Sequence, residues 1–394
     1  MLSNRQLFLL NTAQTSTSPR LIEIEKAEGL YLYGPEGQKY MDLVSGFAVS
    51  NIGHRHPRVL AAIQDQLERY LHVTVYGEFI QAPQVALATK LLAQLPSTLN
   101  NVYFVNSGAE ATEGAMKIAK KYTGRSAFIA ARKAYHGSTQ GALSLMGDEK
   151  YRAPYAPLLP NVTYIDYNDP EQLAKITTET AAIVLEAVQG EAGIRVPDIG
   201  YMQQLRKRCD ETGTLLILDE IQTGLGRTGK LFAFEHYSIV PDILLTAKGL
   251  GGGMPIGAFI ARREIMAVIK ENPILGHITT FGGHPVSCAA ALASLEVILD
   301  EKLMDTVAEK HEIFKTHLKH PIIKEVRGIG LMMCIQLASF KQVESVCKYC
   351  AQNGLMIDWF LHHETALRIS PPLIIEEKEI IEACRIIKQG LDNL

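Results

Sequence analysis

The chain has 394 residues, of which 47% are hydrophobic and 21% charged, a balance typical of a globular protein with two domains. Its formal net charge is -3 and its pI about 6.5, which gives no indication of a nucleic-acid or membrane-surface binder. No apolar run approaches the roughly 18 residues of a membrane-spanning helix, and the N-terminal apolar stretch is too short for a secretory signal, so we expect a cytoplasmic protein.

Taken in chain order, the predicted elements begin with LYLYGPEGQKYMDLV, which indicates a β-hairpin. From about residue 100, short apolar runs alternate with helical patterns. Strands are predicted in NVYFV, SAFIAAR, AAIVLEAV, TLLILDEI, DILLTAKG and IGAFIAR, and helices in GAEATEGAMKIAKKYTG and STQGALSLMG. This alternation predicts an α/β fold with a mainly parallel sheet covered on both faces. Because ligands bind beyond the carboxyl ends of such strands, the polar residues there are site candidates.

From about residue 286 helical patterns dominate, with short strand-like pieces such as GIGLMMCIQL and ALRISPPL. This change of pattern predicts a smaller α+β domain, beside which the N-terminal segment packs. We therefore place a large domain at residues 50–285. A discontinuous small domain is placed at residues 1–49 and 286–394.

Six cysteines in a chain of this length do not form the pattern of a disulfide framework. Cys347 and Cys350 form a C-x-x-C motif, but they lie in the helical pattern QVESVCKYCAQNGL and no second pair accompanies them. A structural role is favoured over a zinc or redox role, and no metal site is predicted.

The segment GLGRTGK, residues 224–230, follows an apolar run and fits the G-x-x-x-x-G-K pattern of a nucleotide-binding P-loop. A P-loop needs a serine or threonine after the lysine to bind magnesium, and this chain has Leu231 there. The preceding strand ends in Asp219 and Glu220, whose charges would repel a phosphate. We therefore predict a tight, mobile loop and keep a P-loop nucleotide-binding protein as a disfavoured alternative.

A different anion site is indicated where the strand NVYFV meets a helix. Ser107 and Glu110 have the spacing of a capping box. The free N–H groups at the helix start and the serine hydroxyl would together suit one phosphate. Most capping boxes only hold their helix, so this feature alone is a weak indication.

Two further strand-end residues belong to the same pattern. Asp219 ends a buried run, where a carboxylate needs a partner such as an arginine, a lysine or a protonated pyridine nitrogen. Lys248 lies between an apolar run and the glycines of GLGGG. A partly desolvated lysine has a lowered pKa and can form a Schiff base, although a lysine that reaches solvent is the alternative. A phosphate cradle, a pyridinium partner and such a lysine are what pyridoxal 5'-phosphate needs.

The stretch LDEIQTGLGRTGKLFAFEHYSIVPDILLTAKGLGGGMPIGA resembles the cofactor signature of class III aminotransferases, the ornithine, acetylornithine, 4-aminobutyrate and putrescine transaminase family. The resemblance extends over nearly the whole chain and includes DLVSGFAVSNIGHRHPRV, YFVNSGAEATEGAMKIAKKYTGR, AYHGST, EAVQGEAG, TTFGGHP and ALRISPP. It implies a pyridoxal-phosphate-dependent transferase of fold type I. It also implies an obligate homodimer whose active sites are shared between the subunits.

The resemblance assigns roles to the matching residues. Lys248 would hold the cofactor and carry the proton, and Asp219 would pair with the pyridine nitrogen. The other implied cofactor-binding residues are Ser107, Gly108 and Ala109 at the phosphate, Thr280 from the other subunit, Tyr135 and Ile221 on the two ring faces, His136, and Gln222 near the ring hydroxyl.

For the substrate, Arg368 matches the carboxylate-binding arginine of the family, and its planar guanidinium suits that task. Glu191 would pair with it as a gate that masks Arg368 for an amine donor and frees it for a dicarboxylate acceptor, predicted to be 2-oxoglutarate. Glu186, Phe47 and Tyr76 are further site-lining candidates. Phe47 and Tyr76 could equally be core aromatics.

One position departs from the ornithine-type pattern. Ornithine and acetylornithine transaminases carry an arginine two residues after the His or Trp that follows the stacking aromatic, and this chain has Ser138 there. Serine cannot replace that charge. We predict a ping-pong transaminase for an amino acid, ω-amino acid or diamine, with the balance moved towards an ω-amino acid or a diamine such as putrescine. A semialdehyde aminomutase and an amine:pyruvate transaminase remain alternatives.

Overall fold

A computed structural model of the protein describes residues 2–394. The strands of this part are β1 (Lys26–Glu28), β2 (Tyr31–Tyr33), β3 (Lys39–Asp42), β4 (Asn101–Val105), β5 (Ala127–Ala131), β6 (Val162–Ile165), β7 (Thr180–Glu186), β8 (Leu215–Asp219), β9 (Ile243–Thr246), β10 (Gly257–Ala261), β11 (Glu325–Ile329), β12 (Met332–Gln336), β13 (Leu355–Met356), β14 (Asp358–Phe360) and β15 (His363–Ile369).

The helices are α1 (Asn4–Asn11), α2 (Ser45–Ala48), α3 (Pro57–Arg69), α4 (Ala82–Leu92), α5 (Gly108–Thr123), α6 (Gln140–Ser144), α7 (Glu149–Arg152), α8 (Ile199–Thr212), α9 (Arg263–Met266), α10 (Pro285–Asp300), α11 (Val307–His317), α12 (Phe340–Gln352) and α13 (Glu377–Asp392). Short 3-10 turns span Ala153–Tyr155, Pro170–Lys175, Ala233–Tyr237, Lys248–Gly251 and Ala267–Lys270. No helix in residues 2–394 has both the length and the apolar character needed to cross a lipid bilayer.

The centre of the fold is a seven-stranded sheet with the order β4-β10-β9-β8-β7-β5-β6. Strands β5 to β9 pair in parallel, and β10 runs antiparallel to both of its neighbours, β4 and β9. The predicted α/β fold with a mainly parallel sheet is confirmed. The reversed direction of β10 was not predicted, because its run GAFIA has the same apolar character as the parallel strands.

Alternate side chains of the central strands enter two different cores, one on each face of the sheet. In β8, Leu216 and Leu218 lie in the core that includes α8 and α10, whereas Leu215 and Ile217 lie in the core that includes α5. Because both faces are buried, the strand sequences are continuous apolar runs rather than alternating ones. This burial leaves the carboxyl ends of the strands as the places where polar residues gather.

The C-terminal part forms a second sheet with the order β11-β12-β15-β14. The predicted N-terminal hairpin is confirmed as the antiparallel pair β2–β3, and β13 extends its sheet in parallel with β3. A third core joins N-terminal residues such as Leu30 and Leu43 to the C-terminal part. Helix α10 instead packs on α3 and α4. The domain limits 1–49, 50–285 and 286–394 stay predictions.

The C-x-x-C motif lies in α12, as its helical pattern predicts. Cys347 and Cys350 are both buried, and burial raises the pKa of both thiols, to about 12 for Cys350. Thiols that stay protonated are poor metal ligands and poor nucleophiles. The buried environment therefore favours the structural interpretation of the motif.

The glycine-rich loop at residues 224–230 is largely buried, and its mobility stays a prediction. Arg227 is fully buried and donates hydrogen bonds to the Leu331 carbonyl (3.1 Å), the Pro371 carbonyl and Oδ1 of Asn51 (2.6 Å). Burial lowers the pKa of this guanidinium to about 9. Leu231 is also buried. The loop is thus packed against the C-terminal part of the chain and does not surround an open phosphate site, which removes the P-loop alternative.

The buried loop makes a stability prediction. Arg227→Ala should lower the free energy of unfolding by about 3 kcal/mol, because three buried acceptors lose their donor at once. The measurement is the urea midpoint of the purified variant. Lys230→Ala, an exposed change in the same loop, is the control and should stay within about 0.5 kcal/mol of the parent. Equal midpoints for the two variants would contradict the role given to Arg227.

Candidate functional site

The carboxyl edge of the central sheet carries the predicted site residues. Glu186 and Asp219 end β7 and β8 and are direct partners in the parallel register. Lys248 follows β9, and Ser107 follows β4. These strands end at the same edge, beside a cavity of about 490 Å³. Of the predicted residues, the cavity is lined by Ser107, Gly108, Ala109, Tyr135, His136, Glu186, Glu191, Asp219, Ile221, Gln222 and Lys248.

Asp219 has a buried partner that the sequence did not reveal. Its Oδ2 accepts a hydrogen bond from Nδ1 of His136 (2.7 Å), and its Oδ1 accepts one from the Ile221 N–H (2.9 Å). Burial opposes charge on His136, but the hydrogen bond and negative charge of Asp219 outweigh it and raise the pKa of the imidazole. We expected an arginine, a lysine or a pyridinium as the partner. In this chain His136 fixes the orientation of the carboxylate, and its own Nε2 has no protein partner.

Glu186 connects two loops of the site. Its Oε1 accepts a hydrogen bond from the Tyr135 N–H (3.1 Å) and its Oε2 one from the Gly190 N–H (2.7 Å). Burial raises the pKa of this carboxyl to about 7, although His136 opposes the shift. Glu186 therefore positions the loop that carries Tyr135 and the loop that carries Glu191.

Lys248 has the environment of a reactive amine. Burial lowers its pKa, while the negative charges of Glu191, Asp219 and Glu186 oppose the shift. Its backbone φ of 46° is in the left-handed region, which is uncommon for a residue with a side chain and tends to be found at functional sites. The ammonium is thus easier to deprotonate than an ordinary lysine, as a nucleophilic amine requires.

The start of α5 forms a small anion cradle. Ser107 is the N-cap, and its Oγ accepts a hydrogen bond from the Glu110 N–H (3.2 Å). The predicted capping box is wrong in its second half, because the Glu110 carboxylate reaches past Ser107 to the N–H of Asn106 (2.8 Å). Gly108 and Ala109, whose first-turn N–H groups have no intrahelical acceptor, line the cavity. They suit a phosphate.

Gly108 and Gly137 allow the close contacts that shape this cradle. A Cβ on Gly108 would lie 2.6 Å from Cδ1 of Ile221, so Ile221 packs directly on the glycine. A Cβ on Gly137, whose φ is 128°, would lie 2.6 Å from Cβ of Ala109. The loop of Tyr135 and Gly137, here called the aromatic loop, therefore packs directly against the start of α5. A cradle for one phosphate, a fixed carboxylate and a lysine of lowered pKa around one cavity fit pyridoxal phosphate.

Glu191, which lines the cavity, is in contact with Arg368, which does not. Nη2 of Arg368, in β15, donates to Oε2 of Glu191, and both side chains are largely buried. Burial raises the pKa of Glu191, but the positive charge of Arg368 outweighs it and brings that pKa to about 2. The guanidinium also lies 5.1 Å from the ring centre of Phe47 and 4.6 Å from that of Phe360. The pair has the closed arrangement that a gate would adopt; its role stays a proposal.

Besides Arg368, three predicted residues lie outside the cavity that Lys248 lines. Phe47 has 45% of its surface exposed, so the alternative of a core aromatic is wrong, and its φ of 63° places it on a left-handed turn over Arg368. Tyr76 lines a separate cavity of about 590 Å³ together with Ile274. Thr280 is exposed at the surface. The assignment of Thr280 to the partner subunit's site stays a prediction.

Comparisons with known proteins show what the whole chain is similar to. The family model described as Aminotransferase class-III matches residues 12–391. The chain is 40% identical over 373 residues to acetylornithine aminotransferase of Methanopyrus kandleri, with 94% of each chain covered. It is also 40% identical over 381 residues to putrescine aminotransferase of Pectobacterium atrosepticum, covering 92% of this chain and 80% of that one. A solved ornithine aminotransferase from Toxoplasma gondii, with partial occupancy of PLP at its active site, has a TM-score of 0.90 and 32% identity and covers 98% of this chain and 93% of that chain.

The glycine contact at the cradle makes a prediction about cofactor binding. Gly137→Ala should weaken the affinity for pyridoxal phosphate by about tenfold or more, because the added Cβ must push the aromatic loop away from Ala109. The affinity is measured by titrating the apoenzyme with the cofactor and following absorbance. Gly200→Ala is the matched control, since a Cβ there meets nothing within 4 Å. Equal affinities in the two variants would show that this close approach does not shape the cradle.

Proposed function

We propose a substrate class for this chain, which belongs to the class-III aminotransferase family and is an enzyme that transfers amino groups with pyridoxal phosphate as its cofactor. The proposed donor is the terminal amine of a diamine such as putrescine or of an ω-amino acid. The proposed acceptor is an oxo acid, 2-oxoglutarate in the first place. The names of the relatives, acetylornithine, putrescine and ornithine aminotransferases, support donors of this general kind.

The distribution of charge around the cavity carries the proposal. The described lining includes the carboxyl groups of Glu186, Glu191 and Asp219, and it contains no arginine. Ser138 lines it where ornithine-type transaminases carry an arginine. Glu191 stays ionised because its pKa is about 2. A wall of this kind attracts a distal ammonium group and offers no strong partner to a donor's α-carboxylate. A diamine fits it better than N-acetylornithine, which brings a carboxylate and no second ammonium group.

The acceptor half of the reaction needs the opposite charge. Arg368 provides it once Glu191 rotates away, since the guanidinium then lacks its acceptor and can bind a substrate carboxylate in the same place. We propose 2-oxoglutarate as the acceptor. Pyruvate is a second candidate, favoured by Ser138, because it brings only one carboxylate, which Arg368 alone can bind.

The residues of the chain divide the chemistry between them. Bound pyridoxal phosphate supplies an aldehyde that condenses with an amine and a pyridinium ring that withdraws electrons from the neighbouring C–H bond. Ser107, Gly108 and Ala109 would hold its phosphate, and Tyr135 and Ile221 would contact its ring. Gln222 would lie near the ring hydroxyl. Thr280 of the partner subunit would reach the phosphate.

Two of the residues handle protons. Lys248 would bind the aldehyde and, once an incoming amine displaces it, take up and return a proton at Nζ, a task suited to its lowered pKa. Asp219, held by His136 and by the Ile221 N–H, would keep the pyridine nitrogen protonated. The donor leaves as a carbonyl product, and the oxo acid takes up the nitrogen in the second half of the ping-pong cycle.

A homodimer with shared active sites is part of the proposal. The segment that contains Thr280 carries exposed apolar side chains, with 77% of Ile274, 50% of Ile278 and 54% of Phe281 exposed. Exposed apolar side chains in one region are typical of a protein–protein interface. A second copy of the chain would cover them and bring Thr280 to the neighbouring cavity. A cytoplasmic location remains a prediction.

The lysine assignment gives the test of the proposed function. Lys248→Ala should lower turnover with an amine donor and an oxo acid by about a thousandfold or more, because the amine that carries the proton is lost. Turnover is measured with putrescine and 2-oxoglutarate, and cofactor content is measured alongside. Lys230→Ala is the control. Near-normal turnover in the Lys248 variant would contradict the assignment, and turnover without any oxo acid would favour an aminomutase.

A further inference from the structure

The short turn of Leu361 and His362, which precedes the strand that carries Arg368, also binds Glu191. The N–H of Leu361 donates to Oε2 of Glu191 (3.0 Å), and Nη2 of Arg368 donates to that same oxygen. The N–H of His362 donates to the backbone carbonyl of Glu191 (3.0 Å). One carboxylate oxygen thus marks the point where a guanidinium and a backbone N–H converge.

The backbone of the Glu191 loop is fixed on its far side. Nε of Arg327 donates to the Gly193 carbonyl (2.8 Å), and an antiparallel bridge joins Gln189 to Arg195. A Cβ on Gly193 would lie 2.5 Å from Cδ2 of His363, so the loop and β15 are in close contact. Opening of the gate therefore requires rotation of the Glu191 side chain rather than movement of its loop. Such a rotation leaves both donors in place and without an acceptor.

We propose that the Leu361 N–H is the second hydrogen-bond donor of the carboxylate site, beside Arg368, and that Tyr151 is a positioning residue that holds this N–H in place. An oxo-acid carboxylate with one oxygen at the position of Glu191 Oε2 receives both hydrogen bonds. The proposal rests on the proposed function and specifies how its acceptor is bound.

A short segment outside the cavity, residues 148–152, holds the turn of Leu361 and His362. Oη of Tyr151 donates to the Leu361 carbonyl (3.0 Å), and its ring meets the His362 ring edge-on at 5.1 Å. Nδ1 of His362 contacts Oδ2 of Asp148 (3.1 Å), and Asp148 also caps α7. Because a carboxylate can only accept, His362 donates this bond. Segment 148–152 thus contributes two hydrogen bonds to this turn, one to the Leu361 carbonyl and one from the His362 side chain.

The gate complicates a direct test, because Glu191 and the substrate use the same N–H. Removing that donor from the parent enzyme weakens the closed gate and the bound carboxylate together, and the two losses offset each other. The informative background is the Glu191→Ala holoenzyme, in which the gate oxygen is absent. The probe is glutarate, a dicarboxylate without the reactive carbonyl, and its dissociation constant is measured by calorimetry.

In the Glu191→Ala background, Leu361→Pro removes the N–H and Leu361→Ala keeps it. The proline variant should bind glutarate about tenfold to a hundredfold more weakly than the alanine variant, since a hydrogen bond to a charged group is lost. Equal dissociation constants in the two variants would overturn the proposal for the N–H.

The positioning role is tested with Tyr151→Phe, which keeps the ring against His362 and loses only the hydroxyl. In the Glu191→Ala background, its glutarate dissociation constant should rise about fivefold, while the rate at which putrescine aminates the cofactor stays unchanged. Tyr155→Phe is the matched control, because Tyr155 is 60% exposed on the following 3-10 turn. An unchanged dissociation constant, or an equal loss in the putrescine reaction, would overturn the positioning role.

The outcome also separates this proposal from the proposed function. If glutarate binding is lost with Arg368→Ala but is the same for Leu361→Pro and Leu361→Ala, only the role of the N–H fails. If glutarate binding does not depend on Arg368, the acceptor site of the proposed function fails, and this proposal fails with it.

Discussion

The buried contact between Arg368 and Glu191 is the constraint on which the proposed substrate chemistry of this enzyme depends. A buried ion pair costs desolvation energy, which is offset only where additional hydrogen bonds and contacts satisfy both groups. Here the Leu361 N–H bonds to Glu191, and the rings of Phe47 and Phe360 lie against the guanidinium. Leaving Arg368 without an acceptor in this setting is energetically costly. Either Glu191 or a substrate carboxylate must face it, which makes the pair suited to alternating between two substrates of different charge.

On the opposite side of the cavity, the carboxyl groups of Asp219 and Glu186 lie close together with His136. Asp219 and Glu186 end adjacent parallel strands in register, and two carboxylates so close together would repel each other if nothing intervened. His136 bonds to Asp219, and the pKa of Glu186 is raised to about 7, so the excess negative charge is limited. Lys248 lies between this acidic edge and Arg368, and its pKa responds to both. The amine of Lys248 is therefore available for reaction, because no single carboxylate holds it in an ion pair.

Much of this could be predicted from the sequence, because the relevant signals are local. The apolar runs that became β7, β8 and β9 end in Glu186, Asp219 and shortly before Lys248, and the fold rule for parallel sheets brings such ends together. The start of α5 was predicted from Ser107 and its spacing to Glu110. Comparison with a family then identified Arg368 and Glu191, which lie 177 residues apart and share no local pattern.

What could not be predicted depends on contacts between distant segments. The His136–Asp219 hydrogen bond joins residues 83 positions apart, and neither neighbourhood indicates the other. The glycine-rich loop was expected to be mobile from its composition, whereas the contacts of Arg227 with Leu331 and Asn51 bury it. Glycine content reports conformational freedom of the backbone but not what packs around it. The direction of β10 likewise follows from its connection rather than from its residues.

The central claim is that the cavity takes the terminal amine of a donor that carries no acylated α-amino acid group, and that it returns nitrogen to an oxo acid through Arg368. The most direct measurement is the absorbance spectrum of the purified holoenzyme, with each donor added alone and an oxo acid added afterwards. Putrescine or 4-aminobutyrate should remove the visible band of the bound cofactor, and 2-oxoglutarate or pyruvate should restore it, whereas N-acetylornithine should leave the band unchanged. Loss of the band with N-acetylornithine alone, and none with putrescine or 4-aminobutyrate, would contradict the account.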